Sequence, residues 1–184
     1  MCLYDPNCSV EKITSLSSLS EQNKSKLYRI FDYDVKKESN KMYFLTFPYH
    51  ERNLDEEKVK AIDNLIYSFS NDLIVRNHPR ENRKRIDGIN YDDSGVLWEL
   101  KCDAEINDEC VLIAFCSTAQ ITPKMLYDKE PYLVFLYGLF DCEWIEGYAN
   151  LVDRIKSSYK NKEKVLIPQT IEELESILNN FSHD

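Results

Sequence analysis

Glycine and proline are scarce in this chain, with 4 and 6 among 184 residues. So few backbone breakers exclude collagen-like, linker-like and low-complexity architectures, which depend on them. No apolar run approaches the roughly 20 residues that a membrane-spanning helix needs. The start, Met1-Cys2-Leu3-Tyr4-Asp5-Pro6, lacks both the basic and the apolar segment of a signal peptide. The expected location is therefore cytoplasmic, free or peripheral at the inner membrane face, with no transmembrane segment. The six cysteines, Cys2, Cys8, Cys102, Cys110, Cys116 and Cys142, form no C-x-x-C pair and have no histidine at zinc spacing. Reduced thiols are expected, with neither a metal nor another cofactor. Positive charge is in the minority, with 23 Lys+Arg against 32 Asp+Glu and a net charge of −9. That balance disfavours a nucleic-acid sleeve. Any anionic ligand must be held at one local site.

What the chain does have is enough apolar and aromatic material, 43% and 12% of its residues, to bury one sizeable core. Residues 1–40 are polar and rich in Ser, Lys and Asn, and read as a lead-in or linker. From residue 41 to 184 short apolar runs alternate with amphipathic ones. The runs are Met42-Tyr43-Phe44-Leu45-Thr46-Phe47, Leu73-Ile74-Val75, Val111-Leu112-Ile113-Ala114-Phe115, Tyr132-Leu133-Val134-Phe135-Leu136-Tyr137 and Val165-Leu166-Ile167. They are continuous rather than alternating, as strands of a parallel sheet covered on both faces are. Between them, Val59, Ile62, Ile66 and Phe69, then Leu151, Val152, Ile155 and Tyr159, then Ile171, Leu174, Leu178 and Phe181 recur at helical spacing. Thr170 with Glu173 fits a capping box for the last helix. Strand-helix alternation predicts a Rossmann-like three-layer α/β/α sandwich with a mostly parallel sheet. Ligands of such sheets sit at the carboxyl ends of the strands.

Three strand-end segments carry chemistry. After Leu73-Ile74-Val75 comes Arg76-Asn77-His78-Pro79-Arg80-Glu81-Asn82-Arg83-Lys84-Arg85, with five basic side chains in ten positions of an acidic chain. An imidazole, a direction-fixing proline and guanidinium groups outline an anion site. A solvated loop with a hydrogen-bonded histidine is the plainer reading. After Val111 to Phe115 come Ser117 and Thr118, whose hydroxyls can cradle phosphate oxygens or merely cap a helix. A helix starting there would enclose Pro123, so a turn with Thr122 capping a later helix is an equal expectation. After Met42 to Phe47 come Glu51-Arg52-Asn53 and Asp55-Glu56-Glu57. A carboxylate here can act as a general base, whereas Asp55, Glu56 and Glu57 also read as first-turn acids of the next helix.

Taken in order, Phe44-Leu45-Thr46-x-Pro48, Leu73-Ile74-Val75-x-x-His78-Pro79-Arg80-Glu81, Trp98-Glu99, Ser117-Thr118 and Ile167-Pro168 resemble the bacterial sialyltransferases of glycosyltransferase family 52. The related capsular polysialyltransferases share the pattern, which covers about residues 42 to 180. The resemblance implies the C-terminal half of a GT-B glycosyltransferase, with residues 41–184 as its nucleotide-sugar (donor) binding domain. It implies inverting, metal-free transfer of sialic acid from CMP-sialic acid to a surface glycan such as lipooligosaccharide or capsule. On it, His78 contacts the donor phosphate with Pro79 beside it, Ser117 and Thr118 bind its other oxygens, and Glu99 bonds the cytidine. In the family the base lies in a pair of acids followed by glycine. Here that stretch is Glu51-Arg52-Asn53, so Glu51 is the candidate base and His50 the next. The N-terminal Rossmann-like half of the family has no counterpart in residues 1–40, which implies a second chain or self-association. Two alternatives stand beside transfer of sialic acid: a capsule transferase using another CMP-linked sugar, and a non-catalytic nucleotide-binding remnant or interaction module of the same fold.

Overall fold

A computed structural model describes residues 18–34, 42–81 and 83–182, without the side chains of Glu51 and Glu143. Cys2, Cys8 and most of the flanks of the polar lead-in lie outside the described residues. The elements in chain order are α1 (Glu21–Ile30), β1 (Met42–Leu45), α2 (Glu56–Tyr67), β2 (Leu73–Arg76), β3 (Asn90–Tyr91), α3 (Trp98–Ala104), β4 (Val111–Ala114), α4 (Thr118–Tyr127), β5 (Tyr132–Phe135), α5 (Glu146–Ser158), β6 (Val165–Leu166) and α6 (Ile171–Asn179). The strands form one sheet in the order β3-β2-β1-β4-β5-β6, and every neighbouring pair is parallel. This is a Rossmann-like α/β fold.

The apolar runs become strands because the sheet is covered on both faces. Phe44, Val75, Ile113 and Val134 are all fully buried, in line with continuous rather than alternating hydrophobicity. In register, Met42 stands beside Leu73 on one side and Val111 on the other. By the right-handed crossover rule for parallel strands, α2 belongs on one face and α3, α4 and α5 on the other. Accordingly α3 packs on α4, while α6 returns to pack on α2.

Caps settle where two helices begin. Asp55 accepts from the N–H groups of Glu57 (3.0 Å) and Lys58 (3.2 Å), so the Asp55-Glu56-Glu57 run is the start of α2. Thr170 accepts from the N–H of Glu173 (3.1 Å), and the Glu173 carboxylate accepts from Gln169 (2.8 Å), one residue before the cap. That is the expected capping box with its return bond moved by one position.

The start of α4 departs from expectation. Ser117 caps it directly and Pro123 lies inside it, so Thr122 caps nothing. A proline cannot donate to the carbonyl four residues back, here that of Ala119. The indole N–H of Trp98 donates to that oxygen instead, at 2.7 Å. A contact from another helix thus makes the internal proline tolerable. Buried Gln120 then fixes α4 to the sheet, its Nε2 donating to the carbonyls of Leu112 (2.7 Å) and Val134 (2.8 Å).

Within the lead-in, α1 buries no residue and docks through polar groups. Tyr28 donates to Asp103 (3.3 Å), Lys24 pairs with the same carboxylate at 3.5 Å, and Tyr33 donates to Glu105. The two-residue strand β3 and the short helix α3 have no counterpart among the apolar runs and helical patterns of the sequence.

Candidate functional site

The strand order reverses between β1 and β4, since the chain leaves β1 toward β2 and leaves β4 toward β5. Their connections diverge there, and a crevice opens beyond the carboxyl ends. A cleft of about 270 Å³ occupies that place. Thr46 and Phe47 form its β1 side, Phe115, Cys116 and Ser117 its β4 side, and His78 and Arg80 reach it from the end of β2.

His78 is held in a specific pose. Thr46 donates its N–H to Arg76 (3.0 Å), continuing the ladder between β1 and β2 by one step. Its buried hydroxyl then accepts the N–H of His78 at 2.8 Å. Pro79 follows, and the turn closes through Glu81 N–H to the carbonyl of His78 (2.8 Å). Within it the N–H of Arg80 donates to His78 Nδ1 at 3.1 Å. With Nδ1 accepting, a neutral ring carries its proton on Nε2 and offers it as a donor.

On the opposite wall, Ser117 Oγ accepts from the N–H of Ala119 (3.3 Å) as the cap of α4. The Tyr148 hydroxyl accepts the N–H of Ser117 (2.8 Å) and donates to its carbonyl (2.9 Å), clamping the strand-to-helix turn from α5. Burial pushes the Tyr148 phenol up, so it stays neutral. Thr118, the first residue of α4, also lines the cleft. Burial likewise pushes the Cys116 thiol up to about 11, with the Arg52 guanidinium offsetting only part of the effect. A thiol in that state is not a nucleophile at neutral pH.

His78, Ser117 and Thr118, about forty residues apart in the chain, therefore share one cleft. Pro79 is exposed in the turn beside it and does not line it. Glu99 stands outside it as well, exposed in the first turn of α3, with its carbonyl accepting from the Tyr127 hydroxyl (2.8 Å). Glu51 ends the single helical turn Tyr49–Glu51, and its side chain lies outside the described residues. The next residue, Arg52, does line the cleft, and its guanidinium lies 4.4 Å from the centre of the Trp144 ring. His50 lines a neighbouring cleft instead.

Most of the basic island is already neutralised. Arg76 pairs with Asp92 and donates to the carbonyl of Val96 (2.6 Å), Arg83 pairs with Asp63 and with Glu81 (2.8 Å), and Arg85 pairs with Asp93 (2.7 Å). Burial alone would raise the Asp92 carboxyl, but the Ser94 hydroxyl, Lys101 and Arg76 together hold it below the usual carboxylate range. The cations facing the cleft are Arg52 and Arg80, and no carboxylate is among the described side chains that line it. No cluster of three or more His, Cys, Asp or Glu side chains able to hold a metal occurs among the described residues. No helix among them is long and apolar enough to cross a membrane.

Two contributors escaped sequence reasoning. Thr46 belongs to an apolar run, and Tyr148 lies in a helix remote in sequence, whereas Arg52 was already legible as a cation where an acid was sought. The periodicity of α5 signals its buried face but not the one hydroxyl that reaches back to Ser117.

Together, fold and cleft define a Rossmann-like domain with a crevice at its switch point lined by His78, Arg52, Arg80, Ser117 and Thr118. No family model matches the chain, and comparison with curated proteins likewise finds no match.

Proposed function

We propose that this chain is the donor-binding half of a sialyltransferase-type glycosyltransferase, holding CMP-sialic acid or another CMP-linked sugar for inverting transfer to a surface glycan. The observation that supports it is the meeting of His78 with Ser117 and Thr118 in the switch-point cleft. As the sugar leaves, negative charge grows on the CMP phosphate. His78 Nε2–H, the hydroxyls of Ser117 and Thr118 and the guanidinium of Arg80 are donors for that charge. Fixed donors of this kind stabilise the transition state more than the ground state. The chain's net charge of −9 makes a local cationic cleft the necessary place for an anionic donor.

A second reading, a module that binds the nucleotide without transferring the sugar, is favoured by one observation. Arg52 rather than a carboxylate lines the cleft beside the segment where the base is expected. Calorimetric titration of the chain with CMP tests what the two readings share. Binding is expected in the wild type and its loss in His78→Ala; a wild type that takes up no CMP sinks both. Release of CMP from CMP-sialic acid, compared between wild type and Glu51→Gln, then separates them. Turnover that falls in the variant identifies an enzyme with Glu51 as its base, and absence of turnover in the wild type identifies the binding module.

A further inference from the structure

A larger cleft of about 610 Å³ adjoins the first, and Arg52 lines both. Its other lining includes Tyr49, His50, Asn53, Leu54, Lys60 and one carboxylate, Glu56. Arg83 also reaches it but is already paired with Asp63 and Glu81, and Lys60 meets Glu56 only loosely, at 4.0 Å between exposed side chains. Tyr49 is the telling residue. It is only 8% exposed, and its phenol lies near Asp63, Arg83 and Glu81 as well as at the cleft it lines. Its ring is fixed by Phe47 at 5.4 Å, Phe115 at 5.8 Å and the Arg83 guanidinium at 4.9 Å. A rigid, largely buried phenol at a cleft wall is a ready partner for a ligand hydroxyl.

We infer that this larger cleft is a second ligand site and that its ligand is an acidic saccharide. The planar guanidinium of Arg52 matches a carboxylate, and Lys60 adds a second positive charge. The Tyr49 hydroxyl and the Asn53 amide meet sugar hydroxyls, and Leu54 offers an apolar surface to a ring face. Its role as the acceptor site rests on the donor reading above; the binding itself does not. With donor and acceptor on either side of Arg52, one cation touches both anions and holds the reacting ends together.

The test is an NMR titration of the full chain with tetragalacturonic acid, with maltotetraose as the neutral counterpart. Tetragalacturonate should shift the signals of Arg52 Nε–H and the Asn53 amide at concentrations where maltotetraose leaves them unmoved. Tyr49→Phe and Lys60→Gln should each weaken binding by about 5-fold or more, the loss of one hydrogen bond or one charge contact. Binding should persist in His78→Ala and under saturating CMP. Equal response to the neutral sugar, displacement by CMP, or indifference to both variants overturns the inference. Tetragalacturonate binding by a chain that ignores CMP supports this site while removing the donor reading.

Discussion

The two walls of the switch-point cleft are built on different physics. The junction of β4 with α4, which supplies Ser117 and Thr118, is held by neutral hydrogen bonds inside the fold: Tyr148 on both backbone groups of Ser117, Trp98 on Ala119, Gln120 on Leu112 and Val134. The connection between β2 and β3, which supplies His78 and Arg80, is held largely by ion pairs: Arg76 with Asp92, Arg83 with Asp63 and Glu81, Arg85 with Asp93. Neutral hydrogen bonds change little between pH 5 and 8, whereas charge pairs respond to protons and salt. The histidine side should therefore be adjustable by solution conditions, and the hydroxyl side should stay fixed.

The sharpest way to break the neutral wall is to remove the bond that excuses Pro123. Trp98→Phe keeps an aromatic ring but leaves the Ala119 carbonyl without its donor. A carbonyl stripped of its partner costs about 1–3 kcal/mol when buried and less at half-buried Ala119, and the smaller ring adds a packing loss. Pro123→Ala restores a backbone N–H aimed at the same oxygen, so Trp98→Phe should cost less in that background. Urea unfolding of the four proteins of this cycle measures the coupling. Simple additivity would show that the indole bond does not compensate for the proline, and the contrast between the walls would lose its clearest support.

The same pair shows where sequence reading stops. The five apolar runs gave the strands of the sheet's middle and one edge because burial on both faces leaves a plain signature. The helices α2, α5 and α6 were legible because each buries one stripe against the sheet. Pro123 misled because local rules count it as a breaker, while its remedy is an indole 21 residues before the Ala119 carbonyl it satisfies. The strand β3 was illegible for a related reason: two residues, Asn90 and Tyr91, pair through backbone alone and carry no apolar period. In the site, His78, Ser117 and Thr118 stood out as chemistry at strand ends, and the fold brings them together. Glu99 was a candidate only through the resemblance, and it lies on a helix whose length and placement no pattern announced. The basic island reads as an anion site or a solvated loop, and its ion pairs are not legible, because the partners Asp63, Asp92 and Asp93 come from other turns and another helix.

A smaller effect sharpens the charged wall. The Asp63 carboxyl on α2 is pushed up to about 6 from an ordinary 3.8, because burial outweighs Arg83 and Glu81 adds repulsion. Tyr49 and Tyr67 complete its surroundings, and one of its oxygens is buried without a partner. The folded carboxyl thus holds its proton more tightly than the unfolded one. Stability from this group is present below about pH 4 and is lost as pH rises through about 6, by roughly 1–3 kcal/mol. Asp63→Asn cannot titrate, so the wild type should gain on it as pH falls from 7 to 4 in urea unfolding. A constant difference would mean that Asp63 is ionised throughout, and that the ion pair with Arg83 outweighs its burial.

The least effect is expected at the outermost pair of the same connection. Arg85 and Asp93 are joined by two close contacts, yet both side chains are more than half exposed. Water and salt screen such a pair, and ordering two long side chains offsets most of its attraction. Arg85→Gln should therefore leave the unfolding midpoint within experimental error and CMP binding unchanged, since Arg85 does not line the cleft. Arg85 also lies over the ring of Tyr91, 4.7 Å from its centre, at the strand that closes the sheet's edge. A clear drop in midpoint would place real stability in that stacking, and the charged wall would then owe its hold to an aromatic face as much as to its ion pairs.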